Sequence, residues 1–200
     1  MLLGEVKSDE QAFRQILDRL EGDVGTILQL LVGSEKTAPY WALVRMMFPI
    51  AESLGDLIHH ARPTENLRSV LATQFEAVRP GYQGKAATLS LLYRHSLIHQ
   101  DELRVLETGG KKIWWRVSFA MRDQHLALVR GDPDAVTIHF DTTAFYDDLI
   151  AVCHEAIAKA RQWNGSVMTR YNEWLTLTLK PRKDKAAIEE IDAFWPLVKP

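Results

Sequence analysis

Residues 88–100 read TLSLLYRHSLIHQ, and the rest of the chain is organised around them. The first half of this stretch is apolar and predicts a buried helix. The second half brings together Arg94, His95 and His99, three groups for which a purely structural helix has little use. Arginine offers a planar fork to phosphate oxygens, and histidine transfers protons near neutral pH. Arg94 and His99 would lie about one and a half helical turns apart, so together they could hold one phosphate.

Composition restricts the class of protein. With 200 residues and 46% hydrophobic content, the chain can bury the core of a single domain. A formal charge of −2 gives no basic field over the whole molecule, so any nucleic-acid surface has to be local. The single cysteine, Cys153, excludes an intramolecular disulfide framework and a multi-cysteine zinc module. Cysteine usage therefore favours a reducing compartment, and we predict a cytoplasmic protein.

The first residues do not resemble a secretion signal, because Glu5 interrupts the apolar start. The sequence also lacks any run of eighteen apolar residues, the length that a membrane-spanning helix needs. We therefore expect no membrane partner.

The segment before the motif predicts helices. Ser8 can cap a helix whose apolar residues recur every three or four positions over 8–31. A second helix is predicted over 37–58, which Pro49 must kink or split. A third is predicted over 63–78.

The period changes from helical to extended after the motif. Two glycines, Gly109 and Gly110, predict one hairpin, and the turn sequence at 131–134 predicts a second. We therefore expect a small antiparallel sheet over about 103–140. Asp141 then caps another helix, and residues 166–179 have mixed periodicity that favours a helix over a strand. The predicted fold class is mainly α (α+β), an antiparallel helical bundle with the sheet inserted after the motif helix.

The six residues Arg94-His95-Ser96-Leu97-Ile98-His99 resemble the signature of the HEPN superfamily, an arginine, a polar residue, three further residues and a histidine. The resemblance implies a small helical domain and a metal-independent endoribonuclease whose site forms between two copies in a homodimer. It also implies roles for three side chains. Arg94 would bind the scissile phosphate, His99 would act as general acid or base, and His95 would orient the phosphate. No cofactor and no metal are implied.

The resemblance covers residues 8–99 as a bundle plan, but only the six motif residues match specifically. HEPN domains are usually all helical, so the sheet predicted at about 103–140 is a departure, here interpreted as an elaboration of one domain spanning 1–200. A second hypothesis is therefore a catalytically silent HEPN-like module that binds nucleic acid or protein, or dimerises. Its partner would be an antidote or regulatory protein in a stress or phage-defence system.

Other sites were weighed beside this one. His95 and His99 have a zinc-ligand spacing, and His59 with His60 could add nitrogens, but no cysteine or carboxylate stands at a recognisable spacing. Residues 81–85 are glycine-rich, yet they lack the length and the following Ser or Thr of a phosphate-binding loop. Arg94 could also act only as a cation at the end of its helix.

Residues 111–130 contain five Lys or Arg and one acid, which gives a local basic surface. Trp114 and Trp115 could stack on RNA bases there. Adjacent strand residues face opposite ways, so we expect at least one of the two tryptophans to lie in the core.

Overall fold

The computed structural model describes residues 4–31, 38–93, 106–130 and 133–179. This part of the chain is mainly helical and has a small mixed sheet of four strands. The α-helices are α1 (Asp9–Arg19), α2 (Thr26–Leu31), α3 (Ala38–His59), α4 (Pro63–Val70), α5 (Glu76–Val78), α6 (Ala86–Tyr93), α7 (Thr142–Ala158) and α8 (Ser166–Leu179). The strands are β1 (Leu106–Thr108), β2 (Lys111–Ser118), β3 (Leu128–Arg130) and β4 (Ala135–Asp141).

The start of α1 is the one that the sequence predicts. The hydroxyl of Ser8 accepts a hydrogen bond from the backbone N–H of Gln11 at 3.2 Å. Asp9 has a second role, because its carboxylate accepts hydrogen bonds from the backbone N–H groups of Gly165 and Met168, both at 2.7 Å. The first helix therefore also caps the start of α8, the helix favoured for residues 166–179.

The helices contain two irregularities, of which the sequence raised the one at Pro49. Between α1 and α2 the chain forms a π-helical segment, Leu20–Gly25, so the helical path continues through both glycines of this region. Helix α3 runs without interruption across Pro49, so the alternative in which this proline splits the helix is wrong. The hydroxyl of Ser53 donates to the carbonyl of Pro49 at 2.9 Å, one turn back along the same helix.

Helices α3 and α4 approach closely at Gly55, and this contact gives a testable prediction. A Cβ atom there would overlap the carbonyl group of Asn66, whose carbon atom would lie 2.7 Å away. We expect Gly55→Ala to lower the free energy of unfolding by about 2 kcal/mol, because rigid backbone must move and this outweighs the gain in helix propensity. The matched control is Gly22→Ala, where a Cβ meets nothing within 4 Å. Urea denaturation measures both, and equal stability of the two variants would contradict the prediction.

The sequence predicted an antiparallel sheet, and this prediction is wrong for one pair of strands. β1 pairs antiparallel with β2, and β3 pairs antiparallel with β4. β2 and β4, however, run parallel, which gives the strand order β1-β2-β4-β3 and a mixed sheet. The turn at Gly109 and Gly110 has positive φ at both residues, 56° and 74°, as a tight turn needs. Turn residues signal local pairing, whereas the parallel pairing joins distant segments and has no local signal.

An aromatic cluster centred on Phe48 of α3 attaches the sheet to the helices. The ring of Phe48 lies 4.7 Å from Tyr93, 4.9 Å from Phe145, 5.4 Å from Phe140 and 6.1 Å from Trp115, measured between centroids. Trp115, Ile138 and Phe140 are buried on the sheet face that meets the helices. Trp115 is therefore the core tryptophan of the adjacent pair, and the sheet turns its other face outward.

Candidate functional site

The three predicted site residues, Arg94, His95 and His99, lie outside the described residues. The helix that leads to them is described as far as Tyr93. Leu92 and Tyr93 are buried, and the ring of Tyr93 stacks on Phe48 with an interplanar angle of 21°. The residues directly before the motif are therefore fixed in the core.

A buried polar network links the segment after α5 to helix α7. The Nε atom of Arg79 donates to both carboxylate oxygens of Asp148, at 3.0 and 2.7 Å. The hydroxyl of Tyr82 lies 2.8 Å from Oδ2 of Asp148 and 2.8 Å from Nε2 of His125. The side chains of Asp148 and His125 are buried, whereas that of Arg79 is 36% exposed. One edge of the guanidinium therefore reaches solvent while the rest of the network is enclosed.

The hydrogen bonds fix the direction of every donor in this network. The backbone N–H of Asp141 donates to Nδ1 of His125 at 2.9 Å, so Nδ1 carries no proton. The neutral ring then carries its hydrogen on Nε2, which donates to the hydroxyl oxygen of Tyr82. The hydroxyl of Tyr82 in turn donates to Asp148. The buried donors and acceptors of this network are thus paired with one another, as a stable interior requires.

Burial lowers the pKa of His125 to about 3, and the nearby positive charge of Arg79 acts in the same direction. His125 is therefore neutral at physiological pH, and its 3.9 Å approach to Asp148 is not an ion pair. Burial also raises the pKa of Tyr82 well above its usual value, and the charge of Asp148 adds to this shift. A neutral, enclosed histidine and an undissociated tyrosine support a structural role for the network.

This network predicts that acid destabilises the fold. Unfolded His125 has a pKa of about 6.5, so below that pH the unfolded chain takes up a proton that the folded chain excludes. The contribution of neutral His125 to the free energy of unfolding is fully present above pH 6.5 and is lost as the pH falls toward 3. We expect His125 to account for a loss of about 2 kcal/mol between pH 7.5 and 5. Urea denaturation at each pH should show a flatter profile for His125→Gln than for His154→Gln, which changes an exposed histidine. Parallel profiles would contradict the assignment.

A second buried carboxylate, that of Asp141, joins β2, β4 and α7. It accepts hydrogen bonds from the backbone N–H of Ala144 at 3.0 Å and of Met121 at 2.7 Å, and from the hydroxyls of Ser118 and Thr143. Burial alone would raise the pKa of Asp141, but these four hydrogen bonds outweigh it and lower the pKa. The residue is therefore an ionised cap of α7, as the sequence predicted for this position, and it also holds the loop after β2.

The outward side of the sheet is a second candidate site. It is called the outer face here and comprises Glu107 of β1, Lys112, Trp114 and Arg116 of β2, Val129 of β3, and Thr137 and His139 of β4. Trp114 lies opposite Thr137, which lies opposite Val129, and Arg116 lies opposite His139. Residues directly opposite one another in a sheet share a face. Parallel pairing therefore brings His139 beside Arg116, although no sequence spacing predicts this.

On the outer face, the ring of His139 is oriented by a hydrogen bond and lies beside the exposed side chains of β2. Trp114 is 40% exposed, and Lys112 and Arg116 are exposed on either side of it. Nδ1 of His139 lies 3.0 Å from the amide oxygen of Gln124, which can only accept, so Nδ1 carries the hydrogen. The alternation of Lys112, Trp114 and Arg116 at every second position is the sequence signal that identifies this face.

A cavity of about 310 Å³ lies between α1, α3 and α8. Its polar lining residues include Arg19, Ser53 and Asp56. Each of them has a partner in the protein, because Arg19 is 3.7 Å from Asp23, Ser53 donates to Pro49, and Asp56 accepts from Asn66 at 2.8 Å. The first two contacts each lie within one helical path, and the third joins α3 to α4.

The two histidines of the alternative zinc hypothesis that are described point to different neighbours. Nε2 of His59 is 2.9 Å from the amide oxygen of Gln74, and Nδ1 of His60 is 3.9 Å from Asp56. Within the described part of the chain, no three His, Cys, Asp or Glu side chains are grouped as metal ligands would be. Cys153 is buried, and burial raises its pKa to about 12, so its thiol is unreactive near neutral pH.

Comparison with protein-family models, with curated proteins and with solved structures finds no match to this chain. Among the helices of residues 4–31, 38–93 and 133–179, none has both the length and the apolar character required to cross a membrane.

Proposed function

We propose that this protein is a HEPN-like, homodimeric, metal-independent endoribonuclease that acts in the cytoplasm. The observation that carries the proposal is the sequence from Arg94 to His99, which directly follows the buried end of α6 in a mainly helical chain. An antiparallel arrangement of the helices is part of the same proposal.

The proposed chemistry requires two functions from the motif. His99 takes the proton of the RNA 2′-hydroxyl, whose oxygen attacks the adjacent phosphorus atom. The bond from phosphorus to the 5′-oxygen breaks, and that oxygen receives a proton from the second histidine of the paired site. The products are a 2′,3′-cyclic phosphate and a 5′-hydroxyl. Arg94 holds the phosphate and stabilises the charge that develops on its oxygens, and His95 orients the phosphate.

The homodimer is part of the proposal because the resemblance to the HEPN superfamily implies it, and two copies of the motif supply one His99 as the base and another as the acid. In the proposed dimer the two motifs face each other across a two-fold axis. No metal or cofactor takes part in this proposal.

The test is incubation of a mixed RNA pool with the purified protein in EDTA, with the Arg94→Ala protein in parallel. The proposal expects cleavage by the wild-type protein and none above background by the variant. Light scattering on a size-exclusion column should give the mass of a dimer for both proteins. Cleavage that persists in the variant would point to a contaminating nuclease and would contradict the proposal.

The sheet favours a second candidate, a catalytically silent HEPN-like module that binds nucleic acid or a regulatory protein such as an antidote. The observation behind it is that β1 begins at Leu106, shortly after the motif in sequence, and the sheet has an exposed outer face. RNA binding without cleavage in the same assay would favour this candidate.

A further inference from the structure

We propose that the outer face of the sheet binds single-stranded RNA, with one base stacked on Trp114 and the adjoining phosphate held by Arg116. This inference rests on the proposed function for its choice of RNA as the ligand. It adds the form of RNA that is bound and a binding surface separate from the Arg94 motif.

The geometry of β2 supplies the stacking platform. Trp114 is 40% exposed, although its neighbour Trp115 is buried and locked against Phe48 and Phe140. The packing of Trp115 in the core therefore holds the strand that carries Trp114 in place. Lys112 and Arg116 lie on the same face, each about 6.6 Å along the strand from Trp114. A base on the indole ring would thus have a cation within reach on either side.

The charges favour one direction for the RNA backbone. Glu107 of β1 lies directly opposite Lys112 and offsets its charge. Arg116 instead lies opposite His139, whose ring is oriented by Gln124. Arg116 therefore marks the more positive end of the outer face, and a phosphate is expected there.

The composition of the outer face suits a nucleic acid better than a protein partner. Protein interfaces have a contiguous apolar centre, whereas Trp114 is surrounded by Lys112, Arg116 and Thr137. Val129, in the same row at the edge of the sheet, is the nearest exposed apolar residue on that face among those described. An aromatic ring with a cation on either side along the strand is the arrangement that stacks on an unpaired base.

The form of the RNA follows from the same geometry. A base can stack on Trp114 only when its own face is open, and duplex RNA buries the faces of its bases against one another. Single-stranded RNA is therefore expected to bind more tightly than a duplex of the same sequence.

The experiment measures the Kd of a fluorescent 2′-O-methyl RNA, a probe that cannot be cleaved because its 2′-hydroxyls are blocked. Fluorescence anisotropy with the full-length protein should show at least fivefold weaker binding for Trp114→Ala, with most affinity retained by Trp114→Phe. Arg116→Ala should reduce the slope of log Kd against log salt by about 0.7. Leu30→Ala, which removes an exposed apolar side chain of α2, should leave the Kd unchanged.

Two outcomes would overturn the inference. One is an unchanged Kd for Trp114→Ala, whether or not this variant still forms the dimer. The other is equal affinity for the single-stranded and duplex probes. Failure of this inference is distinguishable from failure of the proposed function. If the protein cleaves RNA but its Kd does not depend on Trp114, only the inference about the outer face is overturned. If binding depends on Trp114 but no cleavage occurs, the inference is supported and the nuclease proposal fails.

Discussion

Replacement of Asp148 with alanine is expected to lower the free energy of unfolding by about 3 kcal/mol or more. The carboxylate is buried and accepts hydrogen bonds from Arg79 and from the hydroxyl of Tyr82. Its removal leaves the guanidinium without its counter-ion and leaves the buried hydroxyl without an acceptor, and both losses carry a desolvation cost. Tyr82 also accepts from His125, so the link between α7 and the sheet is weakened as well.

The residue directly before Asp148 provides a matched control. Asp147 accepts a hydrogen bond from Nε of Arg122 at 2.7 Å, the same distance as between Arg79 and Asp148. The Asp147 pair is exposed, however, with 54% and 47% of the two side chains accessible. Exposed ion pairs contribute little, so Asp147→Ala should cost less than about 1 kcal/mol. Thermal unfolding should show a drop of about 6–12 °C for Asp148→Ala and a much smaller one for Asp147→Ala. Similar drops for the two variants would refute the structural role of the network.

The second large effect concerns the proposed catalytic site. Arg94→Ala and His99→Ala are each expected to reduce the rate of RNA cleavage by about 100-fold or more, because one removes the group that stabilises phosphate charge and the other removes an acid or base. Initial rates on a defined RNA oligonucleotide measure the effect. Both variants should remain folded and dimeric, as judged by circular dichroism and light scattering.

Matched controls for these variants are Arg14→Ala and His154→Ala. Arg14 forms an exposed pair with Glu10 at 2.8 Å, and His154 is exposed on α7. Each control removes the same type of side chain at a distance from the motif in sequence, so cleavage should continue at the wild-type rate. Equal losses in the controls and the motif variants would show that the motif has no special role.

Local signals in the sequence predicted much of the fold. The caps at Ser8 and Asp141 and the positive φ at Gly109 and Gly110 are all present in the structure. Each of these features is decided by a few neighbouring residues, because the side chain or the glycine acts on backbone groups close to it in the chain. The helix at residues 166–179 also follows from local periodicity.

Features that join distant segments were not predictable in the same way. The parallel pairing of β2 with β4 places Trp115 and Phe140 on one face of the sheet, where both rings pack on Phe48. The carboxylate of Asp9 caps α8 at Gly165, 156 residues further along the chain. His125 lies before β3, which begins at Leu128, and it belongs to the buried network. Such contacts depend on tertiary structure, and no spacing in the sequence encodes them.

For the candidate sites as well, the sequence predicted some features and left others to the structure. Alternation along β2 separated an inward tryptophan from an outward one, and the structure assigns Trp115 to the core and Trp114 to the surface. The approach of His139 to Arg116 required the sheet register. The motif at Arg94, His95 and His99 remains a prediction from sequence, because these residues lie outside the described part of the chain.

The most direct test of the central claim is the chemistry of the RNA ends that the wild-type protein produces in EDTA. Labelled RNA is incubated with the dimeric protein, and the products are analysed by their sensitivity to phosphatase and kinase treatment. The proposed mechanism predicts 2′,3′-cyclic phosphate and 5′-hydroxyl ends, which form only when the 2′-hydroxyl attacks the phosphorus atom. Products with 5′-phosphate ends, or intact RNA under conditions in which the protein is folded and dimeric, would contradict it.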